Sequence, residues 1–172
     1  KISKLKIHDG RIYILDSKYR QGIFVFDSAG KYLFKICKSG RGPGEYKEIN
    51  DFDVYKDYIV ILAYKSALFY NLNGEFLYKR NFSWIAENIT IKNDKEVFLF
   101  QNTFLNKREF VPFHIIKSNL HFKKNVLYLR PIKQEYHEFY RFQVYNDRVL
   151  LTSPPLYINT IYDIDNENIY PF

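Results

Sequence analysis

Methionine is absent from the 172 residues, and cysteine and tryptophan occur once each. A single cysteine excludes an internal disulfide framework. That residue, Cys37, ends the strand-like run K-Y-L-F-K-I-C and is expected as a small buried side chain rather than a nucleophile. No apolar run reaches the length of a membrane-spanning helix. The chain opens on Lys1-Ile2-Ser3 with no signal segment. It is expected to be a piece of a longer product whose own N-terminus carries any export signal. Motifs of established chemistry are missing too. None of His8, His114, His121 and His137 makes an H-E-x-x-H pattern or a close Cys/His pair. No G-x-S-x-G elbow occurs. The acidic run Asp163, Asp165, Glu167 lacks the spacing and glycine of a calcium loop and reads as a turn between strands. Asp16 follows I-Y-I-L, but nothing supports a catalytic role for it.

What is abundant is aromatic: 16 Tyr and 16 Phe bring the aromatic share to 19% within 47% hydrophobic residues. That composition excludes disorder and leans toward β structure. The net charge of +7 permits an acidic partner, although a lysine-rich solvated surface explains it as well.

The chain repeats itself. Ile12-Tyr13-Ile14-Leu15 matches Ile59-Val60-Ile61-Leu62 at an offset of 47, and Asp27-Ser28-Ala29-Gly30 matches Asn71-Leu72-Asn73-Gly74 at an offset of 44. Each segment holds four short β-type runs, near 2–7, 11–16, 22–27 and 31–36, then 50–55, 58–63, 67–71 and 75–80. Polar Asp, Asn and Gly turns suited to tight hairpins separate them. Two looser units follow, with runs near 87–92, 95–101, 111–117 and 121–128, then 139–145, 148–152, 159–164 and 168–172. Four antiparallel strands every ~40–45 residues is the period of a β-propeller blade. The expected fold is therefore all-β: a single, truncated propeller domain over 1–172, with blades at about 1–38, 48–80, 86–129 and 138–172. Apolar runs such as I-Y-I-L, V-I-L-A and V-F-L-F suit strands covered on both faces. Residues 82–88 are expected to hold one short turn, with Trp84 as an anchor between blades.

Residues 39–46, S-G-R-G-P-G-E-Y, fall between the first and second repeats. Gly40, Gly42 and Gly44 admit unusual backbone angles, and Pro43 stiffens the middle. Glu45 is placed to accept from loose backbone N–H groups, and Tyr46 to pin the connection. A phosphate loop needs G-x-x-x-x-G-K-[ST] opening a helix. Here Glu-Tyr and a strand follow Gly44, so the stretch reads as a structural connector.

The strings I-Y-I-L-D-S, F-V-F-D-S-A-G-K-Y-L-F-K-I, G-R-G-P-G-E-Y and I-N-D-F-D-V resemble a family of six-bladed β-propellers common in gut-type Bacteroidota, akin in style to NHL-repeat propellers. The later N-T-I-Y-D-I fits its C-terminal part. The resemblance is strong over 1–80 and looser over 80–172. It implies a six-bladed ring, often on exported, lipid-anchored proteins of the periplasm or outer membrane. It supplies no catalytic residues.

In a propeller the crossover loops and the second-to-third strand loops share one face. Here those windows carry net positive charge, and the opposite turns net negative. Arg20, Arg41, Lys65 and Arg108, with Lys18, are expected to ring a basic mouth, with Tyr19, Tyr64 and Tyr157 as stacking surfaces. Arginine offers a bidentate fork for carboxylate, sulfate or phosphate. The expected function is non-catalytic binding: a cell-envelope scaffold for an anionic glycan or an acidic protein surface. A metal-dependent lyase or lactonase-type enzyme acting at the propeller axis is the alternative. No cofactor is expected. Nucleic acid is an unfavoured partner, because no RNA- or DNA-binding module is recognisable.

Overall fold

The computed structural model describes residues 2–18, 22–82, 85–100, 115–122, 125–129, 141–152, 161–164 and 169–171. They form strands and turns, with no helix among the described residues. Two compact units divide the chain, Lys1–Trp84 and Ile85–Phe172.

The first unit holds two four-stranded antiparallel sheets. Strands β1 (Lys4–His8), β2 (Arg11–Asp16), β3 (Gly22–Asp27) and β4 (Tyr32–Ile36) lie side by side in chain order. So do β5 (Asp51–Tyr55), β6 (Tyr58–Ala63), β7 (Ser66–Asn71) and β8 (Phe76–Asn81). The second unit repeats this with β9 (Asn88–Asn93), β10 (Glu96–Phe100), β11 (Ile115–Ser118) and β12 (Asn125–Leu129). Its other sheet is β13 (Arg141–Tyr145), β14 (Arg148–Thr152), β15 (Ile161–Ile164) and β16 (Ile169–Pro171). Within each of the four sheets every strand pairs antiparallel with its neighbour in sequence.

The repeat is visible at atomic level. Asp27 Oδ1 accepts from the N–H groups of Ala29 and Lys31, and Asn71 Oδ1 accepts from those of Asn73 and Glu75. Gly30 and Gly74 complete these two turns, each at φ +81°. Both third-to-fourth strand ladders slip register at the same repeat position, between Val25 and Phe26 and between Phe69 and Tyr70.

Strand alternation builds the core of this unit. Tyr13 and Leu15, Ile23 and Val25, and Ile36 project from one face of the first sheet. They meet Phe52 and Val54, Ile59 and Ile61, and Leu68 and Tyr70 from the second. Each such side chain contributes roughly 1.5–3 kcal/mol by leaving water. The sequence expectation of strands covered on both faces holds for β6 and β10, where Val60–Ala63 and Val97–Phe100 are buried throughout. It fails for β2. Tyr13 and Leu15 are buried, but Ile12 and Ile14 are only half-buried, and on the neighbouring β1 Leu5 and Ile7 are 52% and 67% exposed. An apolar run shows that either face of a strand could be buried. Which face is buried depends on what packs there.

A second tie joins these two sheets along β1 and β5. Lys4 Nζ lies 2.9 Å from Asp51 Oδ2, and Lys6 Nζ lies 2.8 Å from Asp53 Oδ1. One step further His8 Nε2 is 2.9 Å from the carbonyl oxygen of Lys56. The two aspartates are buried, so the lysine ammonium groups replace their lost hydration. In the second unit Glu96 plays a similar part. Burial alone would raise its carboxyl. Hydrogen bonds from Lys117 and Asn93 and the charges of Lys117 and Lys92 outweigh that and hold it near about 2.

Candidate functional site

The connector of residues 38–46 closes on itself. Tyr46 N donates to the Lys38 carbonyl at 2.9 Å, Gly40 N to the Tyr46 carbonyl at 3.1 Å, and Glu45 N to the Gly42 carbonyl at 3.0 Å. Glu45 Oε2 then accepts from Gly42 N at 2.8 Å. This is the contact a phosphate would make in a glycine-rich anion loop, and here the protein's own carboxylate makes it. A Cβ on Gly40 would run into that carboxylate. Gly44 has a different constraint. Its φ is +74°, and an added Cβ would lie 2.7 Å from Cγ of Phe76. Gly42 is the least constrained of the three, with a Cβ at 3.1 Å from Glu45 Oε2 and no positive φ.

Two buried phenols anchor this loop to the sheets. Tyr46 donates to the Ile36 carbonyl at 3.1 Å, at the end of β4. Tyr70, on β7, donates to the Gly44 carbonyl at 2.5 Å. Burial pushes the Tyr46 hydroxyl up to about 12 and raises that of Tyr70 further. Both therefore stay protonated donors at neutral pH.

Beside the connector lies a cleft of about 520 Å³. One wall is the connector itself, through Gly40, Arg41 and Tyr46–Glu48. The second is the two-residue turn between β6 and β7, Tyr64-Lys65, flanked by Ala63 and Ser66. The third is the end of β8, through Lys79 and Asn81. β8 is the strand of its sheet farthest from β5, so the cleft sits at the β8 edge and not at the β1–β5 seam. Four cations line it, Arg41, Lys47, Lys65 and Lys79, against the carboxylates of Glu45 and Glu48. Four cations against two carboxylates leave the cleft with an excess of positive charge, and the Glu45 carboxylate is engaged with the Gly42 amide. The turn is held in place: Ser66 Oγ donates to the Ala63 carbonyl at 2.8 Å, and Phe82 N donates to the Lys65 carbonyl at 3.0 Å.

Of the candidates named from sequence, Arg41, Tyr64 and Lys65 come together here. Lys18 does not line the cleft; its N–H bonds to Asp16 Oδ1 at 3.2 Å, which gives Asp16 a place in a turn. Arg20, Arg108, Tyr19 and Tyr157 lie outside the described residues, as do Trp84, His114, His137, Asp165 and Glu167. Asp163 belongs to β15 rather than to a turn. His121 is exposed in the turn after β11. Cys37 corrects an expectation: it is exposed. β4 ends at Ile36, whose side chain enters the core, so the next side chain faces outward. Lys47, Lys79 and Asn81 were not anticipated. The only sequence signal for the last two was that polar Lys79, Arg80 and Asn81 close a strand that starts apolar. Among the described residues no group of three or more His, Cys, Asp or Glu is placed to hold a metal ion.

Over residues 1–172 the chain matches the family DUF5128, a 6-bladed beta-propeller. No curated protein matches it. Several solved structures share its fold. One, from Bacteroides fragilis and assigned as exported, superposes with a TM-score of 0.80 at 21% identity, over 99% of this chain and 49% of that one. The WD40 domain of Pan2 from Neurospora crassa gives 0.61 at 12% identity, over 99% and 49%. A protein of unknown function from Bacteroides caccae gives 0.54 at 13% identity, over 94% and 55%. The chain thus spans about half the length of these structures.

Proposed function

The chain belongs to the six-bladed β-propeller family, and from that premise we propose that it is a non-catalytic binding module of the bacterial cell envelope. In this reading the connector cleft holds the anionic part of its ligand. One observation carries the proposal: Arg41, Lys47, Lys65 and Lys79 converge from three separate segments on one concave site. Four cations against the carboxylates of Glu45 and Glu48 leave a net positive lining, which favours an anion held there. Arg41 supplies a fork for a carboxylate, sulfate or phosphate, and the lysines supply point charges around it. Export, with or without a lipid anchor, is supported by the Bacteroides fragilis neighbour assigned as exported.

The test is charge reversal. The full protein carrying Arg41→Glu, Lys65→Glu and Lys79→Glu is compared with wild type for retention on immobilised dextran sulfate and polyglutamate. Retention of the wild type should fall as salt rises. Retention of the variant should be lost, with no drop in Tm. Equal retention of both proteins would sink the proposal.

A further inference from the structure

We infer that the occupant of the cleft is an acidic carbohydrate, with a sugar ring stacked on Tyr64 and its acid group held by Lys65 and the neighbouring cations. This rests on the anion-binding reading above and specifies its ligand.

Tyr64 is the pointer. It sits in the left-handed region at φ +47° while its side chain stays 62% exposed. A bulky side chain is disfavoured there, and Gly, Asn or Asp would serve a tight turn better. Packing does not offset that cost, because most of the ring faces solvent. Phe122, the other aromatic residue with positive φ among the described residues, at +54°, is half-buried. The two-residue turn itself calls for the positive φ, as at Lys56 (+49°), but not for an exposed aromatic ring, so the identity of the residue is what points to a function.

The surroundings of Tyr64 select the ligand class. The ring lines the cleft, and Lys65 Nζ lies 5.8 Å from its centroid. An aromatic plate with a cation over one face leaves the other face for stacking and fits a molecule with a C–H face and an acid on the same ring. A uronic acid or sulfated sugar has both. Inorganic phosphate has no apolar face, and an acidic peptide carries its carboxylates on flexible stems. Glu48 and Asn81 share the cleft. A carboxylate and an amide oxygen accept hydrogen bonds from hydroxyl groups, which a sugar carries on every ring. The site is also concave and within the usual size of small-ligand clefts, whereas a protein partner needs roughly 800 Å² of surface on each side. The bonds from Ser66 and Phe82 hold the turn before any ligand arrives, which lowers the cost of ordering it on binding.

The experiment is calorimetric titration of the full protein with a panel of short oligogalacturonates and sulfated oligosaccharides. Neutral galacto-oligosaccharides, polyglutamate and adenosine monophosphate are the competitors. Two variants are compared, Tyr64→Phe, which keeps the ring, and Tyr64→Gly, which removes it and relaxes the turn. At least one acidic oligosaccharide should bind, and Tyr64→Phe should retain it. Tyr64→Gly should weaken it about tenfold, the scale of one lost stacking contact. The Tm of Tyr64→Gly should hold or rise by about 2–4 °C. Three results would overturn the inference: no acidic sugar binding, undiminished affinity in Tyr64→Gly, or equal binding of adenosine monophosphate or polyglutamate. If Tyr64→Gly keeps full affinity while the charge-reversed protein loses polyanion retention, the carbohydrate inference fails and the anion-binding function stands.

Discussion

Replacing Lys6 by methionine tests the tie between β1 and β5. The substitution keeps the length of the side chain and removes its charge. Asp53, its partner at 2.8 Å, is 1% exposed, whereas Lys6 is 30% exposed. Removing one member of a fully buried pair costs about 3–5 kcal/mol, because the remaining charge is stranded. An exposed pair is worth about 0–1 kcal/mol. Here the stranded group is the buried one, so the cost lies toward the upper range. It is moderated because Asp53 Oδ1 also accepts from Val54 N at 2.8 Å. We expect a loss of about 2–3 kcal/mol, or roughly 5–10 °C in Tm for a chain of this size. Asp53→Asn in the Lys6→Met background should restore most of it, since the isosteric amide removes the stranded charge without changing the packing. Urea unfolding of the wild type, both single variants and the double variant gives the coupling energy directly. A coupling below about 0.5 kcal/mol would refute the argument and class the ladder with ordinary surface ion pairs.

Other expectations follow from the same geometry. Gly44→Ala should destabilise by at least about 1–2 kcal/mol, through its positive φ and the clash with Phe76, while Gly42→Ala costs less. Thermal melts that rank them the other way would contradict the connector geometry. Tyr70→Phe removes the donor to the buried Gly44 carbonyl and should cost about 1–3 kcal/mol by chemical denaturation. Glu96 has its folded-state value lowered to about 2 from an ordinary 4.5, so its contribution is complete above pH 4.5 and is lost as pH falls toward 2. That contribution is at most about 3 kcal/mol, and in Glu96→Gln the acid-side loss of stability should be shallower. Cys37 should react with a thiol reagent in the native protein at the rate of an exposed cysteine; protection until unfolding would show it to be covered.

The arrangement of strands and turns was legible because its causes are local. A run expected at 22–27 is the strand Gly22–Asp27, and the match of Asp27-Ser28-Ala29-Gly30 to Asn71-Leu72-Asn73-Gly74 is one turn built twice. A side chain that bonds its own backbone two and four residues on leaves its mark within five residues of sequence. The role of Glu45 was legible for the same reason, since its partner is only three residues away. The site was less legible. Arg41 and Lys65 were singled out by loop charge alone, and nothing local linked them to Lys79.

By itself, then, the sequence determined the all-β class, the blade-length repeat, the turn chemistry and the internal Glu45 contact of the connector. Each follows from hydrogen bonding and side-chain alternation over a few residues. Tertiary structure alone decided that β6 is covered on both faces and β2 on one, and that Cys37 faces outward. It also decided that Lys4 and Lys6 reach Asp51 and Asp53, and that Arg41, Lys65 and Lys79 share one cleft with Tyr64. Burial, charge pairing and concavity belong to surfaces brought together from distant parts of the chain. They exist only once the sheets have packed.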